Sequence, residues 1–150
     1  MKTLKWSSDL EIGIPPIDKQ HQRIVEYINQ LEHAKENHSR SEVGDVVSQL
    51  VDYTLSHFAF EEELMEESGY MFVNAHKRVH NLFVRKIGSY VERFKLEEDI
   101  AEELLVTLRT WLVNHIKNDD RDYSDAVKEK MHLKIKKVGW LQRSINKFFE

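Results

Sequence analysis

Apolar residues recur every three or four positions along most of this chain, which is the period of a helix with one buried face. The pattern predicts four helices, over residues 18–37, 41–67, 72–94 and 97–117. Asp18 and Ser41 are candidate N-caps, and the polar run Asn118-Asp119-Asp120 should end the fourth helix. Long helices with short connections pack antiparallel, so we expect an all-α, up-down-up-down four-helix bundle.

The two ends of the chain depart from this pattern. Residues 1–17 should form an irregular arm, because the Pro15-Pro16 pair disfavours helix there. Residues 124–150 have apolar positions at helical spacing with basic residues between them, which predicts an extra C-terminal amphipathic helix. We therefore expect a bundle over residues 1–123 and a separate helix over 124–150. That helix could pack on the bundle, or contact a partner protein, a second copy or a membrane surface.

Composition removes several classes of function. The 150 residues include no cysteine, which excludes disulfides, thiolate metal sites, iron–sulfur clusters and cysteine nucleophiles. No apolar run approaches the roughly 18 residues of a transmembrane segment, and no signal peptide is recognisable, so we expect a cytoplasmic protein. Residues 128–150 carry seven basic and two acidic residues, so the remainder of the chain has a net charge of −9. Such an acidic body disfavours nucleic-acid binding.

The positions of the histidines are the feature of the sequence that points to a functional site. Five of the eight histidines and one glutamate lie on the predicted buried stripes: His21, His57, Glu61, His76, His80 and His115. The other three, His33, His38 and His132, should face solvent. A single buried histidine is usually just hydrogen-bonded in a core. Five together with a glutamate are costly to bury unless each is paired or binds metal.

The histidine count also limits the kind of metal site. Five imidazoles exceed the needs of one tetrahedral zinc ion and suit two metal ions that share bridging carboxylates. Glu61 is one candidate bridge. A second is expected near His115, where Asp119 lies one helical turn on and Asp120 requires the helix to end or bulge. The residues alone leave this choice open.

At these residues the chain resembles the hemerythrin family, specifically its bacteriohemerythrin branch. The resemblance covers about residues 6–123 and rests on Trp6, Ile17-Asp18-Lys19-Gln20-His21, His57-x-x-x-Glu61, His76-x-x-x-His80, Trp111-x-x-x-His115-Ile116 and Asp120. It implies a non-heme centre of two iron ions per chain. It assigns His76, His80 and His115 to one iron and His21 and His57 to the other. Glu61, Asp120 and an oxo or hydroxo group would bridge them.

The resemblance further implies a function. The two-histidine iron keeps an open position for dioxygen, and Leu112, Phe58, Trp111 and Ile116 are the candidate oxygen pocket. We therefore expect a reversible dioxygen carrier, store or delivery protein and not an enzyme. The alternatives are an oxygen-sensing or partner-docking module that uses residues 124–150, a weak di-iron oxidase or peroxidase, and a metal store without oxygen chemistry.

Overall fold

The computed structural model describes residues 3–133, and it describes side chains as far as residue 130. Within that range the chain is helical, and it contains no strand. A short 3-10 turn at Ser8–Leu10 precedes α1 (Pro15–Glu36), α2 (Arg40–Glu67), α3 (Val73–Lys95), α4 (Ala101–Asn114), a π-helical segment (His115–Asp120) and α5 (Arg121–Leu133). The prediction of an all-α four-helix bundle is confirmed.

The bundle core consists of the predicted apolar stripes. α1 packs against α2 and α4, and α2 also packs against α3. The most deeply buried aliphatic side chains include Ile28, Leu31, Leu64, Leu104 and Leu105, each at most 1 % exposed. Fully burying a side chain of this kind contributes roughly 1.5–3 kcal/mol, so this layer fixes how the helices face one another.

The start of α1 differs from the prediction. Pro15 and Pro16 are the first two residues of the helix, not part of an irregular arm, and Ile14 is the N-cap. Proline is tolerated there because the first N–H groups of a helix have no intrahelical partner and its fixed φ is helical. The helix therefore begins three residues earlier than residue 18.

Both predicted N-caps were wrong. Asp18 lies inside α1, where its carboxylate accepts hydrogen bonds from the backbone N–H groups of Ile12 and Gly13 at 2.8 and 3.1 Å. It therefore secures the arm rather than the helix start. The cap of α2 is Ser39, whose hydroxyl accepts a hydrogen bond from the Glu42 N–H at 3.2 Å.

The predicted break at residues 118–120 was also wrong. The chain stays helical through the six-residue π-helical segment His115–Asp120 and continues directly into α5. α5 crosses the predicted boundary between residues 123 and 124, and both Tyr123 and Val127 are fully buried. Residues 134–150, most of the predicted C-terminal helix, lie outside the described residues. Among the helices described, none is long and apolar enough to cross a membrane.

Candidate metal centre

Seven buried side chains converge from α1, α2, α3 and the π-helical segment that follows α4. They form two adjoining groups, within each of which the potential ligand atoms all lie within 4.8 Å of one another. The larger group contains Glu61, His76, His80, His115 and Asp120, and the smaller contains His21, His57 and Glu61. None of the seven is more than 5 % exposed. The structure thus brings together all seven residues that the resemblance assigned as metal ligands, and it leaves the alternative Asp119 outside the two groups.

The π-helical segment determines which aspartate faces this cluster. A π-helix has i→i+5 hydrogen bonds and a wider turn than an α-helix, which allows His115 and Asp120 to face the same cluster. The His115 Nε2 lies 3.0 Å from Asp120 Oδ1, and Asp120 is fully buried. The Asp119 side chain is 40 % exposed, and its carboxylate contacts the outer nitrogen of the same histidine, Nδ1, at 3.0 Å.

The two carboxylates lie between the histidine groups. Asp120 Oδ2 is 3.1 Å from His21 Nε2, whereas its Oδ1 is 3.2 Å from His76 Nε2. Glu61 Oε1 is 2.9 Å from His57 Nε2 and 3.5 Å from His80 Nε2. Each carboxylate therefore faces one histidine from the smaller group and at least one from the larger group, as a bridge between two cations requires.

The ligand atoms are poorly satisfied by the protein itself. Four of the seven cluster residues hold buried polar atoms without a hydrogen-bond partner: both ring nitrogens of His21, His76 Nε2, Glu61 Oε1 and both oxygens of Asp120. Their nitrogen–oxygen approaches are short but lack hydrogen-bond geometry. Buried polar groups without partners are expensive, and imidazole nitrogens with carboxylate oxygens suit iron or zinc. The residues present therefore fit a pair of metal ions.

Three further residues orient the histidines from outside. The His57 Nδ1–H donates to Gln20 Oε1 at 2.6 Å, and the His80 Nδ1–H donates to Glu62 Oε2 at 3.0 Å. Asp119 accepts from His115 Nδ1 in the same way. A hydrogen bond at Nδ1 leaves Nε2 with its lone pair directed at the cluster.

Tyr123 supports the cluster through Glu61. Its hydroxyl donates a hydrogen bond to Glu61 Oε2 at 2.6 Å. Burial, together with the nearby Glu61 and Asp120 carboxylates, raises the pKa of Tyr123 well above its usual value, so the phenol keeps its proton. Sequence reasoning did not identify Tyr123, Gln20 or Glu62. The available signal was their position, one or three residues from a predicted ligand.

The protonation states of most of the cluster suit metal binding. Burial and Asp120 act to raise the pKa of Glu61, but its close contacts with the His57 and His80 imidazoles outweigh them and lower it to about 2. Burial lowers the pKa of His57, and lowers that of His80 to about 3. Ionised carboxylates and neutral imidazoles are the forms that coordinate metal.

His115 behaves differently in the metal-free protein. Burial acts to lower its pKa, but Asp120 and Asp119 together raise it to about 10. Its imidazole is therefore protonated at neutral pH, and a metal ion that binds at Nε2 must displace that proton.

Aromatic rings cover the histidines of the larger group. Phe58 stacks on His80 with ring centroids 3.8 Å apart, and Trp111 stacks on His115 at 4.4 Å. Of the other two predicted pocket residues, Leu112 is 1 % exposed and Ile116 is fully buried. The role of these four residues as an oxygen pocket stays a prediction. The structure places His33 and His38 in solvent, and the His132 side chain lies outside the described part of the chain.

Comparisons with known proteins agree with this arrangement. A model of the hemerythrin HHE cation binding domain matches residues 13–127. The bacteriohemerythrin of Pseudomonas aeruginosa (strain LESB58) is 49 % identical over 152 residues, which cover 99 % of each chain. That of Methylococcus capsulatus (Bath) is 34 % identical over 85 % of this chain and 98 % of its own.

A solved structure shows the same architecture. The crystal structure of a wild-type hemerythrin superposes with a TM-score of 0.80 at 29 % sequence identity and covers 84 % of this chain and 98 % of its own. The family model, the related sequences and this likeness lead to one conclusion: the chain belongs to the hemerythrin family.

Proposed function

We propose that the protein binds dioxygen reversibly at a non-heme di-iron centre formed by the seven buried side chains. One iron ion would be held by His76, His80 and His115, and the other by His21 and His57. Glu61 and Asp120 would bridge them, together with an oxo or hydroxo group. When bound, the two irons would supply the electrons that dioxygen takes up.

The observation that carries the proposal is the unequal number of histidines around shared carboxylates. Glu61 belongs to both groups and Asp120 has an oxygen toward each, so the bridges serve both metal positions equally. The larger group has three histidines and the smaller only two. A cation beside His21 and His57 would therefore have one protein ligand fewer, which would leave a position for a small ligand.

The surrounding residues favour binding over catalysis. Di-iron enzymes of the ferritin-like type build their sites mainly from carboxylates, whereas this cluster has five histidines and two carboxylates. The ligands are almost completely buried, which excludes bulk water and larger reductants from the centre. We therefore propose an oxygen carrier, store or delivery protein, and place weak oxidase or peroxidase activity second.

Replacing one ligand of the two-histidine group tests the assignment. We expect His57→Ala to lose about one of two irons per chain and to lose dioxygen binding, while its helical circular dichroism persists. His33→Ala is the matched control, because His33 is an exposed histidine on a neighbouring helix. Full dioxygen binding by His57→Ala would contradict the proposal.

The adjacent residues Asp119 and Asp120 allow a second test, in which the loss of iron is compared between two alanine variants. Asp120→Ala removes both buried oxygens that face the histidines, whereas Asp119→Ala removes only the outer contact to His115 Nδ1. We expect a greater loss of iron in Asp120→Ala, measured as metal per chain after dialysis. A greater loss in Asp119→Ala would mean that the bridging assignment is wrong.

Two predictions rest on the sequence alone. The cytoplasmic location stays a prediction. Contact with a protein or a membrane surface through residues 124–150 also stays a prediction, since residues 134–150 lie outside the described range.

A further inference from the structure

A small apolar pocket opens between α2, α3 and α4, beside the metal centre. Its volume is about 120 Å³. Its walls include Leu50 and Leu55 from α2, Phe83 and Ile87 from α3, and Leu108 from α4. Thr54 supplies the one side-chain hydroxyl of the lining, and no charged side chain contributes to it.

The size and chemistry of this pocket restrict what it can hold. Sites for metabolites and cofactors usually have roughly 300 Å³ or more and a few placed polar groups. An apolar cavity of about 150 Å³, in contrast, stays dry and binds xenon or benzene. The pocket therefore fits small apolar molecules, of which dioxygen is one.

Gly88 lines the pocket at a solvent-exposed position, which marks the mouth. It follows Val84 by four residues and precedes Val91 by three, so the three share one face of α3, and all line the pocket. A Cβ atom at Gly88 would meet no atom within 4 Å. Glycine inside a helix costs about 1 kcal/mol relative to alanine, and packing does not require it at this position. A large side chain there would cover the mouth.

Two successive layers of aromatic rings lie between the pocket and the histidine ligands. Phe83 lines the pocket, stacks on Trp111 at 3.7 Å, and meets Phe58 edge-on at 6.1 Å between centroids. Those two rings in turn stack on His115 and His80, and the Phe58 ring centroid also lies 5.9 Å from that of His57 in the two-histidine group. A molecule in the pocket thus contacts Phe83, which packs on the two rings that cover the metal centre.

We propose that this pocket binds small apolar molecules and lies on the path by which dioxygen reaches and leaves the metal centre. The second half of this proposal rests on the proposed function. The first half concerns only the pocket. The two halves are tested by separate measurements.

Xenon tests the pocket directly. We expect crystals of the iron-loaded protein under xenon pressure to show a xenon atom bound between Phe83, Gly88 and Leu108. Gly88→Leu should abolish that binding, whereas Gly88→Ala, which adds one methyl group, should retain it. The absence of xenon from the native pocket, or unchanged xenon in Gly88→Leu, would overturn the assignment.

Dioxygen kinetics test the path. In Gly88→Leu, we expect the association and dissociation rates to fall by a common factor of roughly ten, equivalent to a barrier higher by about 1.4 kcal/mol. Affinity should be unchanged, because the bound state is untouched. Val84→Phe narrows the same pocket from another position and should behave likewise, with folding of both variants verified by circular dichroism. Unchanged rates in the folded variants would overturn the path. Xenon binding in a native protein that never binds dioxygen reversibly would support the pocket and refute the proposed function.

Discussion

Removing the hydroxyl of Tyr123 is the most informative single change outside the predicted ligands. Tyr123→Phe retains the ring, which is fully buried, and removes only the hydrogen bond to Glu61 Oε2. At 2.6 Å this is a short bond to an ionised acceptor, because the pKa of Glu61 is lowered to about 2 while that of Tyr123 is raised. The substitution leaves a buried carboxylate oxygen without its donor.

The expected cost follows from this chemistry. A hydrogen bond to a charged group contributes about 1.5–3 kcal/mol, and the deleted donor is not replaced by water in a site with no exposure. For a chain of about this size each kcal/mol changes the midpoint of thermal unfolding by about 2–4 °C, so a loss of about 2 kcal/mol lowers it by roughly 4–8 °C. Residues that support metal ligands in this way typically change metal affinity 10–100-fold when removed.

Two assays separate the structural from the positioning effect. Urea unfolding of the metal-free protein gives the change in the free energy of unfolding, and competition with a chelator gives iron affinity. Tyr90→Phe is the matched control, because the Tyr90 hydroxyl pairs with the neutral Thr107 hydroxyl at 2.9 Å, away from the cluster. We expect Tyr90→Phe to cost about 1 kcal/mol in stability and to leave iron affinity unchanged.

Two results would contradict a positioning role for Tyr123. If Tyr123→Phe changes neither the unfolding free energy nor iron affinity beyond the Tyr90→Phe control, the hydrogen bond does not hold Glu61 in place. If stability falls and iron affinity does not, Tyr123 is a core residue without a positioning role.

Further predictions concern glycine and pH. Gly88→Ala should raise the free energy of unfolding by about 0.5–1 kcal/mol, because the added methyl group meets no atom. Gly13→Ala should lower it by about 1–2 kcal/mol, because φ at Gly13 is +85°. Urea titrations of the two variants should therefore show changes of opposite sign. The metal-free protein should lose stability as pH falls below about 6.5, because the unfolded chain binds protons that His57 and His80 do not accept when folded. It should also lose stability as pH rises from about 6.5 to about 10. The pKa of His115 is raised in the folded protein, so His115 stabilises the fold fully only at pH values below the pKa that it has in the unfolded chain. Unfolding midpoints measured from pH 4 to pH 10 should therefore peak near neutrality, and a flat or steadily rising profile would contradict these pKa shifts.

The bundle and its cluster were predictable because both depend on periodicity. A buried stripe repeats every three or four residues, and the five histidines on four such stripes all face the core. The choice between Asp119 and Asp120 could not be made this way. It depends on the π-helical segment at His115–Asp120, whose extra residue per turn interrupts the regular period, and helical patterns do not show such a change.

The supporting contacts were not predictable for a different reason. Glu62 on α2 reaches His80 on α3, and Gln20 on α1 reaches His57 on α2, so each depends on the distance between two helices and on a side-chain rotamer. The start of α1 at Pro15 was missed because proline disfavours a helix interior but suits its first turn. The same Pro-Pro pair is therefore compatible with an irregular segment and with the first turn of a helix, and the local sequence does not distinguish the two.

Reversible oxygenation of the native protein is the most direct test of the di-iron proposal. The measurement is iron per chain, followed by visible absorption spectra of the reduced protein without oxygen, in air, and after oxygen is removed. We predict two irons per chain and an absorption band that appears with dioxygen and disappears on its removal through repeated cycles. Two irons that oxidise once and never release dioxygen, or zinc in place of iron, would contradict the proposal.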